Sequence, residues 1–268
     1  GDTIRVSLTE EPEHEIPVAK VIAKRYDFGV KISPIKPILS LPYDPYFHKR
    51  RKTVRVNNIG SEDVPRVFAD LSQKDMISSE DLASLGYLYS EDQDKWHISD
   101  QAVDYIYVGN KKIDFELPGT LLIIQNSEVW DSNSFSFPIF DIEDYKKGLS
   151  KSNKLNFIFL DQDTFTDELK RLLLQDKTLV VILKNSSDHS VMVQRKFSID
   201  MINAGVTTPL IIKRDYNEIS NLEFLIHSST DIGSLLIDGL GDGVWIDFNF
   251  DCGFVNQTVF GILQASRM

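Results

Sequence analysis

The sequence predicts a TIM-like (β/α) barrel, and two observations support that expectation. Eight short apolar runs, rich in β-branched and aromatic residues, each end in polar residues, and helical patterns lie between several of them. The runs are continuous rather than alternating, which is typical of strands buried on both faces of a parallel sheet. Eight strands that alternate with helices are the composition of a (β/α) barrel.

The eight candidate strands share a length of about four to eight residues, the range expected for buried strands. They span residues 66–70, 104–110, 120–126, 156–161, 179–185, 209–215, 234–238 and 244–247. Helix signals, which are N-cap residues and apolar positions on one face, predict a helix that begins at Ser79 and others over 164–175, 190–204 and 217–227. Only residues 111–119 separate the second and third candidate strands, too few for a helix. Two alternatives therefore stay open, a degenerate barrel and an open doubly wound sheet, of which we favour the barrel.

The segment before the barrel divides into two parts. Residues 1–26 read as a strand over 1–8 and then a helix whose first turn is rich in carboxylates, as the helix dipole favours. Residues 27–52 are predicted to be an extended linker, because four prolines fall within 31–52. The barrel domain would then occupy residues 53–268. A lone strand–helix unit cannot bury a core, so we expect residues 1–26 to be the last unit of a neighbouring barrel in a longer protein.

Composition and charge restrict the class of protein. The net charge is −11, from 29 basic and 40 acidic residues, which argues against nonspecific binding to nucleic acid or to an anionic membrane. No apolar run approaches the roughly 18 residues of a membrane span, and Cys252 is the only cysteine. We expect a soluble, cytoplasmic protein without disulfides. The basic residues at 49–52 are either a solvated part of the linker or a docking patch for a partner or a phosphate.

Both ends of the chain contain longer motifs. The chain begins GDTIRVSLTEEPEHEI, and its last part contains LLIDGLGDGVWI and NQTVFGILQASRM. Together these segments resemble the 4-hydroxy-3-methylbut-2-enyl diphosphate synthase family in its three-domain, plant-type form. YFHKRRKT and RVFADLS are more loosely similar. In that family a catalytic barrel ends in the first motif, a barrel-like insert ends in the others, and an iron–sulfur domain follows.

The resemblance implies that this chain is the insert domain of an oxidoreductase of isoprenoid biosynthesis, on the methylerythritol phosphate pathway. The full enzyme reductively opens 2-C-methyl-erythritol 2,4-cyclodiphosphate, with electrons from a flavodoxin- or ferredoxin-type donor. Its [4Fe–4S] cluster is held by three cysteines and a glutamate that are not in this chain. We therefore expect no catalytic residue or metal ligand here and no activity of this fragment alone. Its role would be to space and orient the neighbouring domains, within one chain or across a homodimer.

The resemblance also implies two substrate contacts in the first strand. Arg5 and Ser7 match the family's diphosphate-binding arginine and serine, and both occupy alternate positions of one strand. A second segment, GDGVWIDF at 241–248, repeats the pattern of GDTIRVSL. The alignment places Trp245 at the position of Arg5 and Asp247 at that of Ser7. A phosphate-binding strand would thus have lost its cation and gained a carboxylate, which predicts a duplicated barrel without the substrate site.

Two alternatives stay open at this point. In the first, the chain is a stand-alone barrel enzyme that acts on a phosphorylated small molecule, with Lys184 or Lys213 as the base. Its site would be formed by the polar residues at strand ends, which are Asp70, Asn126, Asp161, Lys184, Lys213, Asp215 and Asp238. In the second, it is an interaction module that uses residues 49–52. The glycine-rich segment 239–243 runs into a strand, so we interpret it as a tight connection between the last two strands and not as a phosphate loop.

Overall fold

The computed structural model describes residues 4–5, 11–25, 37–38, 40–44, 46–132, 135–161, 165–185, 190–248 and 251–266. The strands are β1 (Arg66–Asp70), β2 (Tyr87–Ser90), β3 (Lys95–Ile98), β4 (Tyr105–Tyr107), β5 (Leu122–Asn126), β6 (Ser136–Asp141), β7 (Asn156–Asp161), β8 (Leu179–Asn185), β9 (Leu210–Tyr216) and β10 (Gly243–Phe248). The α-helices are α1 (Pro12–Arg25), α2 (Ile142–Lys147), α3 (Asp167–Gln175), α4 (Ser190–Asn203), α5 (Asn221–Ser228), α6 (Ser234–Ile237) and α7 (Cys252–Ala265). Two 3-10 helices, Glu80–Leu85 and Glu91–Gln93, and one π-helix, Ser229–Gly233, complete these elements.

Eight of the strands close into a barrel in the order β1, β10, β9, β8, β7, β6, β5, β4, and every neighbouring pair is parallel. The TIM-like barrel is therefore confirmed, and the open doubly wound sheet is wrong. The barrel is degenerate where the sequence predicted it. No helix occupies residues 111–119 between β4 and β5. Between β1 and β4, where a helix from Ser79 was predicted, the chain forms the 3-10 helix Glu80–Leu85 and the antiparallel hairpin of β2 and β3.

Two of the strand assignments from sequence need correction. Residues 234–238 were predicted as a strand, but Ser234–Ile237 is helix α6, because periodicity alone cannot distinguish a helix from a strand in so short an apolar run. The missing eighth strand is β6, SFPIFD. Its Pro138 counts against a central strand, since proline has no N–H to donate to the ladder. In the barrel, Pro138 lies opposite Gln125 of β5, and the flanking Phe137 and Ile139 face the core.

The barrel interior is filled by side chains, and aromatic rings dominate it. The ring of Phe68 stacks on that of Tyr105 at a centroid distance of 4.8 Å and on that of Trp245 at 6.2 Å, both nearly parallel. Phe157 meets Phe68 and Tyr105 edge-on. Trp245 is completely buried. The interior is thus a packed core rather than a channel, as in other barrels of this type.

Helices cover the outside of the barrel. The outward residues of β8, such as Val181 and Leu183, pack with α3 and α4, whereas those of β10 pack with α5, α6 and α7. Helix α1 lies against α5 on this outer layer. In the described part of the chain, none of the helices is both long enough and apolar enough to cross a membrane.

Candidate functional site at the carboxyl end of the barrel

Polar side chains follow the aromatic core at the carboxyl ends of the barrel strands, where barrel enzymes place their active sites. Strand side chains alternate between the two faces, so residues two positions beyond a core residue also point inward. Ile211 and Trp245 of the core thus set the direction of Lys213, Asp215 and Asp247. We call the resulting group the mouth. Its members are Asp70, Tyr107, Asn126, Asp141, Lys184, Lys213, Asp215 and Asp247.

Lys213 is the central cation of the mouth, and nearby carboxylates neutralise its charge. Its side chain is only 6% exposed, and its Nζ forms an ion pair with Asp215 of the same strand. The Nζ also lies 3.9 Å from Oδ2 of Asp247 and 5.2 Å above the centre of the Trp245 ring. An ammonium held between two carboxylates and an indole face is poorly placed to bind phosphate or to act as a base.

Asp70 lies on β1, the neighbour of β10, in a less favourable environment. Burial raises the pKa of its carboxyl above the usual value, the charge of Asp247 raises it further, and a 2.8 Å hydrogen bond from the Ser72 backbone N–H works in the other direction. Burial likewise raises the pKa of Tyr107, which therefore stays a neutral phenol and donates to Oδ1 of Asn126 at 2.7 Å.

The balance of charge at the mouth is acidic. Among its described side chains, the carboxylates of Asp70, Asp141, Asp215 and Asp247 outnumber the two lysine ammonium groups. Lys184 is exposed and lies 5.9 Å from the centre of the Phe159 ring. A cleft with an excess of one sign of charge disfavours ligands of that sign. The mouth therefore disfavours phosphorylated molecules.

The predicted strand-end residues do not all converge. Asp238 lies outside the mouth, because it follows helix α6 rather than a strand, and its Oδ2 pairs with Nε of Arg195 at 2.6 Å. Asp161 ends β7, as predicted. Tyr107, Asp141 and Asp247 were not among the predicted strand-end residues, although the internal repeat pointed to Asp247 and its neighbour Trp245.

The two predicted diphosphate contacts lie in the segment before the barrel. Arg5 is exposed to solvent. Ser7 lies outside the described residues, as does most of the strand predicted over 1–8. The assignment of Arg5 and Ser7 to substrate binding stays a prediction.

The basic segment at 49–52 is partly built into the opposite, amino end of the barrel. Arg51 is buried, and its Nη2 donates to the carbonyl of Thr208 at 2.7 Å and to Oδ2 of Asp242 at 3.3 Å. Asp242 also accepts from Thr53 Oγ1 at 3.0 Å and from the Leu210 backbone N–H at 2.9 Å. Two of the four cations, Arg50 and Arg51, therefore bind Asp242 rather than a partner.

The glycine-rich segment 239–243 belongs to the same contact. It joins helix α6 to β10, not two strands as predicted. Gly239 has a φ of +74°, and a Cβ there would lie 2.2 Å from the carbonyl oxygen of Lys49. The Arg51 N–H donates to the Gly239 carbonyl at 2.8 Å. Glycine is thus needed for the close approach of the linker backbone.

The residues of this chain do not fit the iron–sulfur cluster that the resemblance implies for the full enzyme. Such clusters are held by several cysteine thiolates, and Cys252 is the only cysteine in the sequence. Burial raises the pKa of its thiol, which disfavours the thiolate. Across the described ranges, no three histidine, cysteine, aspartate or glutamate side chains come together in a metal-binding arrangement.

Comparison with known proteins agrees with the motifs at the chain ends. Three similar proteins are each named 4-hydroxy-3-methylbut-2-en-1-yl diphosphate synthase (flavodoxin). They come from Parabacteroides distasonis (32% identity), Bacteroides thetaiotaomicron (31%) and Chlorobaculum tepidum (25%), and each alignment covers the whole of this chain. The resemblance to the synthase family is confirmed over the whole chain.

The same alignments also show how much of the synthase the chain represents. It spans about two fifths of each relative, 41% for the first two and 42% for the third. No family model matches the chain. The barrel, its mouth and the segment before it therefore correspond to a part of a synthase-like protein, and the role of that part has to be argued from its own residues.

Proposed function

We propose that this chain is the insert domain of a three-domain 4-hydroxy-3-methylbut-2-enyl diphosphate synthase, with the last strand and helix of the catalytic barrel attached. Residues 1–26 are that attached unit, 27–52 the linker and 53–268 the insert barrel. The full protein reductively opens the cyclodiphosphate at a [4Fe–4S] cluster held elsewhere, in the cytoplasm, with flavodoxin as donor. The name of the relatives, which includes flavodoxin, supports that donor over a ferredoxin.

The insert barrel itself has a structural role in this proposal. It sets the distance and orientation between the substrate barrel and the cluster domain, which have to meet for the reaction. The observation that supports this is the mouth: Lys213 is paired with Asp215, carboxylates are in excess, and the buried Trp245 occupies the position that the repeat assigns to Arg5. A barrel that bound the diphosphate would need cations in excess of carboxylates there.

Diphosphate binding belongs instead to the attached unit. An arginine forms charge-assisted and often bidentate hydrogen bonds with phosphate oxygens, and a serine hydroxyl adds a donor. The exposed side chain of Arg5 is available for such a contact. We assign Arg5 and Ser7 to the diphosphate of the substrate in the full protein.

The decisive experiment is turnover of the cyclodiphosphate by the full-length protein with its cluster reconstituted. Arg5→Met should lower kcat/KM by at least about 30-fold, which corresponds to about 2 kcal/mol for a truncated charged contact. The matched control is Lys184→Met, which removes the exposed lysine of the mouth and should change kcat/KM by less than about 2-fold.

The opposite pattern would contradict the proposal. If Lys184→Met or Lys213→Met abolished turnover while Arg5→Met did not, the mouth would be a catalytic site. Calorimetric titration of the present chain with inorganic pyrophosphate provides a second test. We expect no saturable binding at millimolar concentrations, and binding that Lys213→Met removes would favour the stand-alone barrel enzyme.

A further inference from the structure

Helix α1 is fixed to the outside of the barrel by one buried side chain. Of the fourteen residues of Pro12–Arg25, only Arg25 is buried. The apolar residues Val18, Val21 and Ile22 of α1 are partly buried, and Ile16 is 42% exposed. Burial of an apolar face usually provides most of the docking energy of a surface helix. Here that face is only partly buried, so the contacts of Arg25, the one fully buried side chain of α1, add to it at the end of the helix.

Arg25 reaches a carboxylate in the outer layer of the barrel. Its Nη2 donates to Oδ2 of Asp231 at 2.6 Å. Asp231 lies in the π-helix Ser229–Gly233 between α5 and α6. The same Oδ2 accepts from Nη2 of Arg214 at 2.7 Å and from the Tyr216 hydroxyl at 2.9 Å, both on β9. We call these four side chains the latch.

The latch is shielded from water. The side chains of Arg25, Asp231 and Arg214 are 3%, 1% and 1% exposed. Burial raises the pKa of the Tyr216 phenol, and the charge of Asp231 raises it further, so Tyr216 stays a donor to that carboxylate. Removal of one partner from a buried ion pair is strongly destabilising, whereas exposed pairs contribute little. The neighbouring pair of Lys24 and Glu223 is of the exposed kind, with Lys24 82% exposed.

The barrel does not need α1 to balance this carboxylate. Arg214 and Tyr216 come from the barrel itself and already bind Asp231. Only Arg25 belongs to the segment before the barrel, 206 positions of sequence away from Asp231. Loss of Arg25 should therefore release α1 and leave the barrel folded.

We propose that the latch is the interdomain contact that fixes the catalytic barrel on the insert barrel, with α1 as the part of the catalytic barrel that it grips. The assignment of α1 to the catalytic barrel rests on the proposed function, whereas the docking of α1 does not. Through the latch, the orientation of the substrate barrel is coupled to β9 and the π-helix, and so to the frame of the insert barrel.

The test is hydrogen–deuterium exchange on the present chain, read separately for the amides of α1 and for those of β7 to β9. Arg25→Met should speed exchange in α1 by at least about 100-fold, because a buried pair has lost its mobile partner. Exchange in the strands should change by less than about 3-fold. The matched control is Lys24→Met, one residue earlier on the same helix. We expect it to change the exchange rate of the α1 amides by less than about 3-fold.

Arg25→Lys sharpens the result, because it retains the charge and loses the planar fork. Exchange in α1 should then lie between the wild type and Arg25→Met. The proposal is overturned if α1 exchanges at the wild-type rate in Arg25→Met, or if Lys24→Met releases α1 as strongly. Equal acceleration in the strands would also overturn it, since Arg25 would then belong to the barrel core.

A second measurement connects the latch to the full-length protein. Arg25→Met should broaden the distribution of distances between spin labels on the two barrels, whereas Lys24→Met should leave it unchanged. An unchanged distribution together with a released α1 would contradict the interdomain role but not the docking. Neither readout uses substrate, so failure of the latch is distinguishable from failure of the Arg5→Met test of the proposed function.

Discussion

The two ends of the barrel differ in how their charged side chains are buried and paired. At the amino end, Asp242 is 4% exposed, and residues from the linker and from the start of β9 surround it with donors. At the carboxyl end, Lys213 is shared between two carboxylates of its own and the neighbouring strand, and the pKa of Asp70 is raised by burial. The amino end thus holds a buried carboxylate with several donors, whereas the carboxyl end has an excess of carboxylates and is partly open.

The difference shows which end has been used for stability. In barrels of this type the amino face serves stability and the carboxyl face serves chemistry. Here the amino face contributes to stability, because the ion pair of Arg51 and Asp242 connects the linker to the barrel over 191 positions of sequence. The carboxyl face keeps polar residues, but its buried lysine, Lys213, is paired with Asp215, and carboxylates outnumber lysines among the described side chains of the mouth. This contrast underlies the proposal that the insert barrel is structural.

The largest effect that would test the comparison is expected from Asp242→Asn. The variant leaves Arg51 buried without its counter-charge, and loss of one partner of a buried pair costs about 3–5 kcal/mol. The free energy of unfolding from urea denaturation should fall by that amount. Asp144→Asn is the control, because its partner Lys147 is 69% exposed and the loss should stay below about 1 kcal/mol. Equal losses in both variants would show that the amino end is not specially stabilised.

A smaller effect is expected at the mouth from Lys213→Met. The substitution removes the cation between Asp215 and Asp247, but Asp247 is 42% exposed and water can solvate it. We expect a loss of about 1–2 kcal/mol in thermal or urea unfolding. Lys184→Met, at the exposed lysine of the same mouth, should be within about 0.5 kcal/mol of the wild type. A loss at Lys213 as large as at Asp242 would remove the contrast between the two ends.

The smallest effect, and the one with opposite sign, is expected from Asp70→Asn. The pKa of Asp70 is higher in the folded than in the unfolded chain, because burial and Asp247 disfavour the charge. Wild-type stability contributed by this group is therefore lost as pH rises through the unfolded pKa of about 4 towards the folded value. Asp70→Asn avoids that loss and should melt slightly higher at pH 7.

The advantage of Asp70→Asn should disappear in acid, where the wild-type carboxyl is protonated in both states. Melting temperatures measured from pH 3 to pH 7 would show this convergence. Asp141→Asn, at an exposed carboxylate of the same mouth, serves as the control. Its melting temperature at pH 7 should differ less from that of the wild type. If Asp70→Asn melted lower than the wild type at pH 7, the carboxylate would be stabilising, and the view of the mouth as an unbalanced remnant would be wrong.

The local pattern of apolar and polar residues was sufficient to predict most helices and strands of the barrel. Residues 179–185 and 190–204 were predicted within one residue of β8 and α4, because one is a continuous apolar run rich in β-branched residues and the other has the spacing of apolar residues typical of a helix. The pattern failed at α6 and β6. A four-residue apolar run is too short to show a helix or strand period. A proline argues against a central strand, because it has no N–H to donate to the ladder.

The candidate site was predictable to a similar degree. The predicted strand ends included Lys213 and Asp215 of β9, whereas Asp247 of β10 was singled out only as the counterpart of Ser7 in the internal repeat. Asp238 was misplaced for the same reason that α6 was. The pairing of Lys213 was not predictable, because an isolated lysine at a strand end reads equally well as a base, a phosphate ligand or half of an ion pair.

By itself, the sequence determined the fold class, the order of most elements and the resemblance to the synthase family, because hydrophobic period and motif are properties of adjacent residues. Only the tertiary structure decided which charges meet. Asp231 binds Arg25 across 206 positions and Asp242 binds Arg51 across 191. Such pairs depend on how the chain closes the barrel and returns to it. No local pattern records that geometry, since the energy of a buried ion pair arises only when folding removes water from both partners.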